Sequence, residues 1–518
     1  MIGLSNFRQT STASAHRPLQ NAMTRPGFLL AVVASFAALR SFAAETSLPA
    51  QARAALEKST AYMRSISANG GYLWKYALDL KERAGEVKAT ATQVWIQPPG
   101  TPTMGMAFLR LYEATKDARY LDAAKDAADA LATGQVESGG WDYVIDFDPE
   151  KMRLSYLRSD VGKLPPEQIA ARKNVTNFDD DNTQCAIRFL LAVADAGKGG
   201  DEARDRRIRE ALDYGLRKMI EAQFPNGAWP QRWRGEAHSE EDFPVMKARF
   251  PEKYPREFPR ENYHAHYTLN DNTLHDCIGV MLEAFHRTGR AEYLDAARKG
   301  GDFIILAQMP QPQPVWAQQY NTQMEPAWAR AFEPPAVTGN ESVGVLRTLM
   351  DLYVETGDRK FLKPVPDAIA WFKRSQIAPG KWARYYELQK NVPIFGDRDG
   401  KIYYRLADLS EERQHGYSWS GTYGVANMLS YYEKVTGQSR ESLLAEKAKK
   451  SAPGKNKSGD AAALEPRVRE IIKSLDKEGR WVTRGHLKHR DWEFNDRVET
   501  DVFIKNTAAL AAYLEAVK

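Results

Sequence analysis

Acidic side chains stand in front of three helix-like segments of this 518-residue chain, in NFDDDN (177–182), TLNDN (268–272) and TGNE (338–341). A fourth such segment follows GYSW (416–419). Each acid alone is an ordinary N-cap, accepting a bond from the free N–H groups of a first helical turn. If the helices run side by side, however, Asp179–Asp181, Asp271 and Glu341 meet at one rim. Like charges repel there unless a cation sits among them, and hard oxygen donors of this kind suit Ca2+. Arg347 lies inside an otherwise apolar helical run, SVGVLRTLM (342–350). A guanidinium in such a run either staples two helices through a carboxylate or faces a site that handles negative charge. Arg398 in GDRDG (396–400) and Arg413, just before Gly416, are either loop braces or planar forks for a carboxylate. Carboxylates with several arginines describe a pocket for a polyanion. Trp229, Trp316, Trp382 and Trp419 serve either as core packing or as walls on which sugar rings stack.

Repeated elements must position these groups. FLRLYEATKDARYLDAA (108–124) recurs as MLEAFHRTGRAEYLDAA (281–297), with weaker copies beginning at Leu349 and Met428 and a degenerate one at 189–198. Each reads as a helix, a short polar turn and a second helix. An extended piece with a tryptophan follows most second helices, at Trp141, Trp229, Trp316, Trp382 and Trp481. The spacings, between 66 and 99 residues, exclude an open solenoid of equal units. They predict an all-α fold, an α/α toroid: an incomplete barrel of helical hairpins joined by long loops and short strands. Polar insertions at 147–175 and 236–267 interrupt the pattern, and KAKKSAPGKNKSG (447–459) is a low-complexity stretch expected to form a surface loop.

The first 44 residues carry the three-part pattern of a secretory signal. Arg17 and Arg25 precede an apolar run (27–39) too short to span a bilayer, and small residues (41–44) follow. Met23 is the suspected start. Residues 45–518 then form the toroid domain of a secreted or periplasmic protein, free of the membrane after cleavage. A hydrophobic content of 43%, with 12 Trp, 23 Tyr and 20 Phe, suffices for a large core. The net charge of +5 is mild, and no Lys/Arg block marks a nucleic-acid partner. Cys185 and Cys277 occupy repeat-equivalent apolar positions and are expected to be separate core thiols. A monomer is expected.

Six motifs carry a resemblance. NGAWPQ (226–231), TLNDN (268–272), SVGVLR (342–347), WARYYEL (382–388), PIFGDRDG (393–400) and GYSW (416–419) resemble, in order and spacing, the pectic acid lyases of polysaccharide lyase family 10. The resemblance covers about residues 177–432. It implies an α/α toroid that cleaves polygalacturonate by Ca2+-assisted β-elimination to 4,5-unsaturated products. Matched motif by motif, Asp179 falls on an active-site acid, Asp271 on a calcium ligand and Arg347 on the arginine proposed as base. Arg398 and Arg413 fall on contacts to the substrate carboxylate. Asp181 and Glu341 complete the expected metal set, and Trp229, Tyr417 and Trp419 the expected sugar contacts. The chain departs from the family at Asn272, where a second Asp is usual, at Leu306 in place of a Lys, and at Gln414 in place of a second Arg.

The chemistry agrees with that reading. Elimination from a 4-linked uronate removes the C5 proton, α to a carboxylate, so the developing enolate charge must be neutralised. An arginine is normally protonated far above neutral pH, which predicts an alkaline optimum. Two other readings share the same residues. One is a glycoside hydrolase on the same toroid, with two of Asp179, Asp181, Asp271 and Glu341 as acid and base. The other is a catalytically idle protein that binds acidic polysaccharide.

Overall fold

The computed structural model describes residues 47–197, 201–451, 461–486 and 494–518. The expected signal (1–44) and positions 452–459 of the low-complexity stretch lie outside them. Thirteen helices of ten residues or more organise the described chain: α1 (Leu48–Ile66), α2 (Thr101–Thr115), α3 (Ala118–Gly134), α4 (Asn182–Asp195), α5 (Glu202–Glu221), α6 (Thr273–Thr288), α7 (Ala291–Ala307), α8 (Glu341–Thr356), α9 (Val365–Arg374), α10 (Val425–Gly437), α11 (Arg440–Ser451), α12 (Ala461–Ser474) and α13 (Thr500–Ala516).

Inner helices pack side by side in the order α13–α2–α4–α6–α8–α10. Partners α3, α5 and α7 lie against α2, α4 and α6, and α12 lies against α13. The ring is an open α/α toroid, since no comparable packing of α10 on α13 closes it among the described residues. The expected inner helices at 183–192, 273–284 and 342–350 are present and extend further at their C-terminal ends. The fourth begins later than expected, at Val425.

The repeated sequence has a repeated physical job. In α6 and α8 a Thr–Gly pair ends the helix. Thr288 and Thr356 donate hydroxyl bonds to the carbonyls four residues back, and Gly289 (φ 71°) and Gly357 (φ 74°) take the left-handed conformation that a helix C-terminus favours. Each repeated tryptophan then folds back on the helix before it. The indole N–H groups of Trp141, Trp229, Trp316, Trp382 and Trp481 donate to the carbonyls of Leu131, Met219, Ile304, Phe372 and Ile471, all at 2.8–2.9 Å. All five rings are buried. They satisfy carbonyls that the end of a helix leaves free.

After each of these tryptophans the chain runs toward the start of an inner helix. Thr176–Asn177 pairs with Arg232–Trp233, Tyr267–Thr268 with Gln319–Tyr320, and Trp382–Ala383 with Ser420–Gly421. These ladders pin the starts of α4, α6 and α10 to one rim. A four-stranded antiparallel sheet, Val337–Thr338, Tyr385–Tyr386, Pro393–Gly396 and Ile402–Tyr403, extends it. Beneath it lies a small separate core of Ala336, Tyr385, Ile394, Leu409 and Trp419. The two ends of the described chain are fastened together, because Lys75–Ala77 pairs with Phe494–Glu499 and α13 packs on α2.

Two smaller expectations resolve differently. Both cysteines are free thiols, as expected. Residues 447–451, expected in a surface loop, instead end helix α11, and Lys447 is ion-paired with Glu355 of α8.

Candidate active site

Two of the rim turns have the same backbone. Residues Asp179–Asp181 and Asn270–Asn272 form single tight turns between a short strand and an inner helix. Within them Asp180 (φ 53°), Asp181 (φ 56°), Asp271 (φ 46°) and Asn272 (φ 61°) are left-handed. Asp and Asn tolerate this conformation better than other non-glycine residues, and such strain gathers at functional sites. Asn177 Oδ1 accepts the Asp179 N–H (3.0 Å) and Thr268 Oγ1 the Asn270 N–H (3.2 Å), which holds each turn.

The two turns pack together, so that carboxylate oxygens of Asp179, Asp180 and Asp271 lie within 4.8 Å of one another. Burial, and then the neighbouring Asp180, push the Asp179 carboxyl up to about 6. Loss of water from around the Asp271 carboxyl, then Asp179, Asp180 and Glu341, push it up to about 7. Asp179 Oδ1 is buried without a hydrogen-bond partner. Three hard oxygen donors, mutual repulsion and an orphaned carboxylate oxygen together fit a cation such as Ca2+.

A set of guanidinium groups faces these acids. Burial pulls Arg330 down, but the Glu333 carboxylate outweighs it and leaves Arg330 above its ordinary value. Arg330 in turn lowers Asp179, Asp180 and Asp271, partly offsetting their upward shifts. Arg384 is buried between Glu341, which it contacts at 2.9 Å, and the Tyr417 ring, 4.5 Å from its guanidinium. Arg413 and Arg398 both lie over the Phe332 ring, at 4.5 and 5.5 Å, and both grip Glu412. These two arginines hold Glu412 down at about 2. Tyr417 donates to Glu333 (2.9 Å) and its hydroxyl meets that of Tyr385 (3.0 Å).

A family model described as pectic acid lyase matches residues 152–381 and 376–428, more than half of the chain. The chain belongs to the pectic acid lyase family. It is a polysaccharide lyase. Similar solved structures include the family 10 polysaccharide lyase from Cellvibrio cellulosa, at 24% identity and a TM-score of 0.44, covering 64% of this chain and 97% of that one. A mutant of that enzyme in complex with trigalaturonic acid has 23% identity and a TM-score of 0.43, covering 64% and 98%. Cellobiose 2-epimerase from Bacillus thermoamylovorans has 14% identity and a TM-score of 0.40, covering 90% and 98%. No curated protein matches.

Within this pectic acid lyase fold, the residues expected from sequence divide into two groups. Asp179, Asp271, Glu341, Arg398, Arg413 and Tyr417 gather at the rim. Asp181 does not join the acid cluster: it is ion-paired with Arg188, which also contacts Asp276 at 3.0 Å. The left-handed turn sends neighbouring side chains to different sides, and Asp180 takes the place expected for Asp181. Glu341 is held by Arg384, although its Oε2 atom is buried without a partner.

Arg347 is exposed, not buried as its apolar neighbours suggested. It lies over the Tyr431 ring at 5.7 Å and makes no ion pair among the described residues. At 1.5 Å per residue it is about 9 Å further along α8 than Glu341. Trp229 is fully buried against α5 and offers no ring face to a sugar. Trp419 is buried too, donating to the Arg413 carbonyl (2.7 Å) and packing on Tyr417. It props the arginine loop rather than lining a groove.

Arg330, Glu333 and Arg384 were missed, and Asp180 was not singled out within the acidic run. Arg384 sits inside WARYYEL and Asp180 inside the acidic run, so both had a signal. Arg330 and Glu333 lie in a loop with no repeat around it.

Proposed function

We propose that this lyase cleaves polygalacturonate by Ca2+-assisted β-elimination at the rim between the carboxylates and the arginines. The juxtaposition of Asp179, Asp180 and Asp271 with Arg330, Arg384, Arg398 and Arg413 carries the reading: one half suits a hard cation, the other a polyanion. Bound Ca2+ supplies a positive charge that acidifies the C5 proton of a uronate whose carboxylate it meets.

The residues of the chain do the rest. Asp179, Asp180 and Asp271 would hold the ion, and Arg330 limits their mutual repulsion. Arg413, buried under Phe332, orients a sugar carboxylate and stabilises the enolate as charge develops. The base removes the C5 proton, the C4–O bond breaks, and its electron pair leaves with the glycosidic oxygen, which takes up a proton. Arg398 is better placed for the base than Arg347. It is exposed, stands beside Arg413 and shares the single carboxylate of Glu412 with it. Glu412 raises Arg398 above its ordinary value in the free protein, and Arg330 opposes this. Neutral Arg398 therefore requires alkaline conditions, so activity should rise toward high pH.

A hydrolase needs its two carboxyl groups about 5–5.5 Å or 6.5–9.5 Å apart. In the acid cluster one oxygen from each of three carboxylates lies within 4.8 Å of the others, an arrangement suited to sharing an ion. The test is incubation with polygalacturonate at alkaline pH, with Ca2+ or with a chelator, following ultraviolet absorbance of unsaturated uronate. A calcium-dependent rise supports the proposal. New reducing ends without that absorbance would establish hydrolysis instead.

Export as a secreted or periplasmic protein is proposed from the N-terminal pattern alone, and N-terminal sequencing of the mature protein tests it. Among the described residues no helix is long and apolar enough to cross a membrane.

A further inference from the structure

Tyr143 lies outside the residues that match the family model, yet its side chain reaches two members of the acid cluster, Asp179 and Asp180. Its hydroxyl lies 3.3 Å from Asp179 Oδ2 and 3.3 Å from Asp180 Oδ2, bridging the two carboxylates. One phenol proton cannot satisfy both acceptors at once, so the hydroxyl is shared between them.

The position of this hydroxyl is fixed from three directions. The Tyr143 carbonyl accepts the Ile96 N–H at 2.9 Å, and the strand that follows, Val144–Asp146, pairs with Gln93–Trp95. The buried Trp95 ring stacks on the Tyr143 ring at 6.3 Å and 27°. Trp74 braces Trp95 edge-on at 5.7 Å. Gln97 ties the two indoles together: Trp74 Nε1 donates to its carbonyl (2.9 Å) and Trp95 Nε1 to its Oε1 (3.2 Å). A tyrosine held this firmly does not simply fill space. Adjacent aspartates on a strained left-handed turn need an external hold if both are to present oxygens toward Asp271.

We propose that Tyr143 is a positioning residue for the metal-binding carboxylates, with the N-terminal Trp74–Trp95–Gln97 unit acting as its buttress. This rests on the calcium reading above. Groups that hydrogen-bond metal ligands commonly set affinity, and losing one costs about 10- to 100-fold. The N-terminal hairpin is thereby part of the active site as well as of the ring.

Tyr143→Phe removes only the hydroxyl and keeps the ring on Trp95. Isothermal titration of the full chain with CaCl2 should show Ca2+ affinity about 10- to 100-fold weaker than in the parent, with an unchanged melting temperature in chelator. The Ca2+ concentration for half-maximal activity should rise by the same factor. At saturating Ca2+, kcat and KM should stay within about twofold of the parent, because the hydroxyl acts through the ion. Unchanged Ca2+ affinity in Tyr143→Phe would overturn the proposal, as would a raised KM at saturating Ca2+, which would make the hydroxyl a sugar contact. A parent protein that binds no Ca2+ would sink the calcium reading itself and this inference with it.

Discussion

The carboxylates and the arginines of the rim arrive by different routes. Asp179, Asp180 and Asp271 sit on turns that the toroid makes anyway, where a short strand hands over to an inner helix. Their convergence follows from the ring. Arg398 and Arg413 come from a turn and a short helix (Glu411–Gly416) beyond a small sheet, steadied by aromatic rings and by Glu412. Acids built on the frame are rigid and crowded, with an oxygen left over. The two arginines share one carboxylate, Glu412, that an incoming uronate can replace. The frame should therefore set ion binding, and the loops should set substrate handling.

Substitutions can break that division. Asp179→Asn should cause the largest loss, about 10³-fold in activity, with Ca2+ binding by calorimetry lost as well. Activity that survives at high Ca2+ would remove Asp179 from the metal set. Arg398→Ala should lower kcat by about 10²-fold and leave Ca2+ affinity unchanged. Arg347→Ala, measured beside it, should stay within about threefold of the parent, because among the described residues Arg347 pairs with no carboxylate and lies over the Tyr431 ring. A reversal of that order would restore Arg347 as the base.

The frame itself can be weakened apart from the chemistry. Trp229→Phe deletes an indole bond to the Met219 carbonyl and leaves a void in the core. Denaturant melts should show about 2 kcal/mol of lost stability, with kcat kept. A changed KM would mean that the ring reaches the groove.

The smallest effect concerns pH. The Asp271 carboxyl, at about 7 in the folded protein, binds more protons than it does unfolded, where its value is ordinary. Without Ca2+, its contribution to stability therefore falls as pH rises from about 4 to about 7. Asp271→Asn should remove this slope, making the variant more stable than the parent at about pH 8 in chelator. Solvent screening of this exposed side chain limits the gain to roughly 1 kcal/mol. Added Ca2+ should stabilise only the parent. Parallel melting curves for the two proteins across this range would contradict the crowding of the cluster.

The same two-part construction explains what the sequence made legible. The frame was readable: hairpin copies at 108–124 and 281–297, Thr–Gly helix ends and a tryptophan after most outer helices are local patterns that return along the chain. Asp179 and Asp271 were readable because they precede equivalent helices. Asp181 misled because a one-residue choice on a left-handed turn selects the opposite side, and only backbone geometry says which residue faces inward. The burial of Arg347 was misread for a related reason. An inner helix of an open ring keeps one face toward its lumen, so a charged residue among apolar neighbours need not be buried. Arg330 and Glu333 lie on a loop that no periodicity describes, and Tyr143 reaches the cluster from a hairpin nearly forty residues away in sequence. Trp229 and Trp419 carried no signal separating a sugar platform from a helix prop.

The decisive experiment is a crystal of the protein grown with Ca2+ and a galacturonate trisaccharide. We expect anomalous density for one ion bound by Asp179, Asp180 and Asp271, with a uronate carboxylate between that ion and the Arg413 guanidinium, and with Arg398 beside the sugar's C5. An ion held elsewhere, or a sugar bound around Arg347 and Tyr431 and away from the acid cluster, would refute the assignment of catalysis to this rim.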